Sequence, residues 1–152
     1  MIIDNSLYLM KIGGRPNDAT AWASLWAHTT QGYTSSIDLT TTSNRVIAEG
    51  GYVVFRIGTA FAQASGSSEW IIAVSAAATM GTDTVLWSSG TVAFGTLAAF
   101  TLNSIPWVVK LPRHFPLRYL AAGWYPTTAA FTAGTMDIFI TPDAPYTQVG
   151  VK

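Results

Sequence analysis

The stretch from Ile105 to Thr141 constrains the fold more than any other part of the chain. It holds three runs rich in β-branched and aromatic residues, separated by turn chemistry. In the first, Ile105, Trp107, Val109 and Leu111 share one face at period two, with Pro106, Val108 and Lys110 on the other. Pro112 ends this run, because proline has no N–H to give a ladder. The second run, Leu117 to Tyr125, sets Tyr119, Ala121, Gly123 and Tyr125 against Arg118, Leu120, Ala122 and Trp124. The third, Thr135 to Thr141, sets Met136, Ile138 and Ile140 against Asp137, Phe139 and Thr141, after a turn at Thr132-Ala133-Gly134. The second and third runs are neighbours in sequence, so they are expected to pair antiparallel.

The same pattern recurs upstream. Tyr52 to Ile57 alternates Val53, Phe55 and Ile57 with Tyr52, Val54 and Arg56. Glu69 to Ala77 alternates Trp70, Ile72 and Val74 with Glu69, Ile71, Ala73 and Ser75. Shorter strands are expected at Ile37–Leu39, Thr84–Trp87 and Leu97–Leu102, with turns at Glu49-Gly50-Gly51 and Ser88-Ser89-Gly90. Asp18 to His28 fits both states. Asp18 is placed to cap a helix carrying Trp22, Leu25 and Trp26 on one face, yet the same residues partly alternate. The sum is about eight to ten short strands and at most one short helix, an all-β antiparallel sandwich of jelly-roll-like form. One domain accounts for all 152 residues. An N-terminal arm (about 1–12) and a C-terminal tail (about 142–152, opened by Pro142-Asp143-Ala144-Pro145) flank it. No internal repeat points to a propeller or solenoid.

Charge is scarce. Charged residues make up 11% of the chain and the formal net charge is zero, against about 25% charged in an ordinary soluble domain. Such a surface is expected to be covered in use, by copies of the chain or by a partner. The alternative is a Thr- and Ser-rich surface that stays soluble without charge. There are no cysteines, which excludes disulfides, thiolate metal sites and cysteine nucleophiles. The two histidines have no second histidine or carboxylate at metal-ligand spacing, so neither a metal nor another cofactor is expected. No Gly-x-Ser-x-Gly elbow, phosphate loop or facing carboxylate pair supports an enzyme. The first residues lack the basic start of a signal peptide, and no apolar run is long enough to span a bilayer. The expectation is a protein made in the cytoplasm, with no membrane and no nucleic-acid partner.

Two features remain for recognition. Lys110, Arg113, His114 and Arg118 form a basic cluster, and no acidic residue occurs from Thr84 to Met136. This cluster is expected to dock an acidic surface. The six Trp and six Tyr suit either core packing, protein interfaces or the stacking of sugar rings. Trp70, Trp107 and Trp124 lie on strands, where core packing is favoured.

Several segments occur in a telling order: Met1-Ile2-Ile3-Asp4-Asn5, Ile37-Asp38-Leu39, Thr84-Val85-Leu86-Trp87-Ser88-Ser89-Gly90, Val109-Lys110-Leu111-Pro112-Arg113, Leu117-Arg118-Tyr119-Leu120, and Phe131-Thr132-Ala133-Gly134 through Ile140. In this the chain resembles the small cement, or decoration, proteins of tailed bacteriophage capsids, of the Bordetella-phage type. The similarity spans roughly 1–9 and 35–145. It departs at Gly13 to Thr34, which resembles an insertion with two Trp, and at His114-Phe115-Pro116, where a tight Gly turn is usual. The resemblance implies a structural virion protein. Such a protein binds the outer capsid surface as a dimer or trimer, bridges major capsid subunits, and has no catalytic residues. Contact candidates are then Ile2, Ile3, Trp22, Trp26, Lys110, Arg113, His114 and Arg118. The competing reading is a lectin-like carbohydrate-binding sandwich, on a phage tail for example.

Overall fold

The computed structural model describes residues 8–10, 32–33, 36–40, 50–62, 66–80, 82–101, 103–126 and 133–144. Their strands are β1 (Tyr8–Met10), β2 (Gly32–Tyr33), β3 (Ile37–Asp38), β4 (Tyr52–Ala62), β5 (Ser67–Ser75), β6 (Asp83–Ala93), β7 (Trp107–Lys110), β8 (Tyr119–Pro126) and β9 (Ala133–Thr141). One short helix, α1 (Phe94–Ala98), follows β6. Two antiparallel sheets result. One has the order β1-β9-β4-β7; the other has the order β2-β8-β5-β6, with β3 also paired to β8.

The sheets face each other across one core. Val53, Phe55, Ile57, Val109, Met136, Ile138 and Ile140 come from the first, and Trp70, Ile72, Val74, Leu120 and Ala122 from the second. These are the period-two faces read from the sequence, so the all-β sandwich stands. Four rings cross-link the layers. Phe55 meets Trp107 at 5.6 Å and Trp70 at 6.3 Å, both edge-on, and Trp87 at 5.6 Å. The buried Trp70 indole N–H donates to Ser68 Oγ at 3.1 Å, so its polar atom is satisfied inside the core.

The topology corrects one expectation. β8 and β9 do not pair with each other. β8 pairs β5 and β9 pairs β4, in opposite sheets. Sequence proximity loses here to nesting. β5 pairs β6; around them β4 pairs β7; around those β8 pairs β2 and β3; outermost, β1 pairs β9. A long hairpin folded over onto itself gives this order, and it places β7, β8 and β9 alternately in the two layers.

Two further corrections are local. Ser88-Ser89-Gly90 is not a turn but a bulge inside β6, where Glu69 lies opposite Thr91 and Ile71 opposite Ser88. Gly90 takes φ +65°, the left-handed conformation that such a bulge needs and glycine adopts without strain. Of the expected strand Leu97–Leu102, residues 97–101 form none: Leu97 is buried within α1, and Phe100, just past the helix, packs against the core. The outer faces of the sheets are partly buried as well. Val54, Asp137, Phe139 and Thr141 are buried behind the first sheet, and Ile71, Ala73, Met80 and Ala121 cluster behind the second. Burial on both faces needs few charges, so part of the low charge has an internal cause.

Tyr8–Met10, within the N-terminal arm, forms a short strand paired with β9. The rest of that arm, the tail beyond Ala144 and the ambiguous 18–28 segment lie outside the described residues.

Candidate docking loop and open edge

The chain crosses from β7 to β8 through residues 111–118, and side chains alternate along this loop between anchors and charges. Leu111 is buried, and Phe115 and Leu117 pack against the core; Arg113 and His114 are exposed between them. Both ends are pinned by backbone hydrogen bonds: Leu111 N–H donates to Gly51 O at 2.8 Å, and Leu39 N–H donates to Arg118 O at 2.9 Å. Pro112 and Pro116 fix two φ angles in between. Beneath the loop, Gly50 takes φ +82°, and a Cβ there would sit 3.3 Å from Arg113 Cγ. Glycine at this turn therefore supplies the left-handed backbone and clears room for the arginine stem.

Lys110, Arg113 and His114 are exposed. Among the described residues none has a carboxylate or hydrogen-bond partner for its side chain. Arg118 differs. Its Nε–H donates to both Asp38 carboxylate oxygens at 3.0 and 3.2 Å, and its Nη2–H to Oδ2 at 2.6 Å. Arg118 also lies 5.1 Å over the Tyr119 ring. The Arg118 guanidinium, helped by the Thr40 backbone N–H and hydroxyl, holds the Asp38 carboxyl far below the usual carboxylate range. Arg118 thus ties β3 to the end of the loop. Ile2, Ile3, Trp22 and Trp26, the remaining contact candidates, lie outside the described residues.

A second ion pair lies behind the first sheet. Arg56 and Asp137 are direct cross-strand neighbours in β4 and β9. Arg56 Nε–H donates to Asp137 Oδ2 at 3.1 Å, and Nη2 closes a shorter contact to the same oxygen. The guanidinium sits 5.6 Å from the Phe139 ring centre.

One feature escaped the sequence reading: β6 ends its sheet. Among the described residues it pairs only with β5, leaving its other side open. Eleven residues form it, with no charge or proline from Thr84 to Ala93. Val85, at 46% exposure, is the one large hydrophobic residue counted as exposed among the described residues. The sequence signal was present in the run of uncharged Thr, Val and Ser, but reading Ser88-Ser89-Gly90 as a turn cut the strand short.

Trp70 and Trp107 both sit in the aromatic core, which removes two candidates for sugar stacking. Among the described residues no group of His, Cys, Asp or Glu is placed to hold a metal ion. No helix among them is long and apolar enough to cross a membrane. No protein-family model matches the chain, and no curated protein shows significant similarity to it.

Proposed function

We propose that the chain is a non-enzymatic structural protein of a phage virion. In this reading it binds the outer capsid surface as a small homo-oligomer and cements neighbouring major capsid subunits. The β6 edge, open among the described residues, carries the proposal. An exposed, uncharged edge strand is a template for pairing with another chain, and zero net charge sets no long-range repulsion between copies. The bulge at Ser88–Gly90 discourages open-ended stacking, which suits a closed oligomer rather than a fibre. The nested strand order supports the same reading, because two antiparallel sheets nested in this way suit a jelly-roll-like form, an architecture used in viral shells. Such a protein acts by mass action: binding the assembled shell and not its free subunits stabilises the shell.

Two measurements test this. Sedimentation equilibrium should find a dimer or trimer that Val85→Lys dissociates, since an edge lysine blocks strand addition. Capsids stripped of decoration should bind the protein saturably and gain heat resistance. A folded monomer that ignores such shells overturns the proposal.

A further inference from the structure

The charges of the described residues are divided unevenly, and that division points to a second surface. Among the described residues the Lys and Arg are Arg56, Lys110, Arg113 and Arg118. Arg56 and Arg118 are held in ion pairs. Among the described residues the unpaired positive charge is therefore confined to Lys110 and Arg113, with His114 beside them. No acid follows in sequence until Asp137. These residues also stand on a stiff support: buried or packed apolar side chains alternate with them, two prolines restrict the backbone, and both loop ends are hydrogen-bonded. A partner that binds a support already shaped loses less ordering entropy.

We infer that Lys110, Arg113 and His114 form a pre-shaped receptor for an acidic segment of a partner protein. Arg118 is a positioning residue that closes the loop onto β3 through Asp38 and makes no docking contact. Nucleic acid fits less well. A duplex is gripped through many phosphates, about 6–10 for a typical binder, and two formal charges on a short loop do not span them. The loop's aromatic residue, Phe115, is packed against the core and cannot stack on a base. The inference supplies the docking half of the capsid reading and rests on it only for the partner's identity, so it is tested without a shell.

The test titrates the full chain with a short Glu- and Asp-rich peptide, read by NMR shift changes. Saturable shifts confined to residues around 110–114 are expected, weakening as salt rises past about 0.1 M, where screening reaches about 10 Å. Lys110→Glu and Arg113→Glu should each weaken binding about tenfold, and Arg118→Gln less than Arg113→Glu. If Arg113→Glu unfolds the loop, Arg113→Gln keeps the stem over Gly50 and should still weaken binding. Equal loss at Arg118 and Arg113, unchanged binding in folded Lys110→Glu and Arg113→Glu, or preferential displacement by duplex DNA each overturns the inference. Peptide binding without shell binding upholds it and overturns the capsid reading; shell binding without peptide binding does the reverse.

Discussion

The two arginine–aspartate pairs use the same chemistry to different ends. Arg56–Asp137 spans two long neighbouring strands, with side chains 36% and 7% exposed. Arg118–Asp38 joins a two-residue strand to a loop end, with side chains 53% and 24% exposed. In the first, the carboxylate is sealed from water and depends on its partner. In the second, water replaces either partner cheaply, so the pair contributes geometry more than stability. Exposure, rather than bond geometry, sets what each pair does.

The largest expected effect breaks the sealed pair. Arg56→Met leaves Asp137 buried without its cation and should cost about 3 kcal/mol in chemical denaturation, somewhat reduced by the arginine's partial exposure. Adding Asp137→Leu should recover much of the loss, since a well-packed apolar pair can replace a buried ionic one. A loss no greater than that of Arg118→Gln would erase the contrast.

Next comes the support under the loop. Gly50→Ala imposes a left-handed backbone on a residue with a Cβ and should cost about 1–2 kcal/mol. It should also perturb the NMR signals of Arg113, whose stem approaches that position. A stability cost with those signals unmoved would separate backbone strain from loop placement.

The exposed pair should show itself through pH. Asp38 titrates lower in the folded chain than when unfolded, so its contribution is complete above about pH 4, the ordinary aspartate range. It is lost as pH falls toward the lower folded value. Asp38→Asn should flatten that part of the acid-denaturation curve and lower stability at neutral pH by the same small amount. An unchanged acid slope would mean that the pair is not held in solution.

Smallest is the effect of Lys110→Ala. Its side chain is exposed and unpaired, so the denaturation midpoint should stay within about 0.5 kcal/mol of the parent. A larger loss would place Lys110 in the fold rather than at a docking surface.

Much of the core was legible because alternation records burial directly. Val53, Phe55 and Ile57, or Trp70, Ile72 and Val74, need only a pleated backbone to fall on one face. Pairing was less legible. β8 and β9 are adjacent in the chain yet separated by the nesting of all the others, which no local pattern encodes. Gly90 misled because left-handed glycine serves bulges as readily as turns. At the candidate site, the basic residues were plain in the sequence, but the partner of Arg118 was not. Asp38 is eighty positions away, and only the β3–β8 register brings the two together.

The nested pairing also sets a schedule for folding. Its innermost pair joins Ser75 to Asp83, and its outermost joins Tyr8 to Phe139. Closing the short loop first costs the least chain entropy, and each later pair then closes across a chain already shortened. Assembly should therefore zip from the middle of the sequence toward its ends, at the slow pace of non-local β architectures, milliseconds to seconds. Variants near Ser75 and Asp83 should slow refolding in stopped-flow measurements, whereas variants near Tyr8 and Phe139 should mainly hasten unfolding.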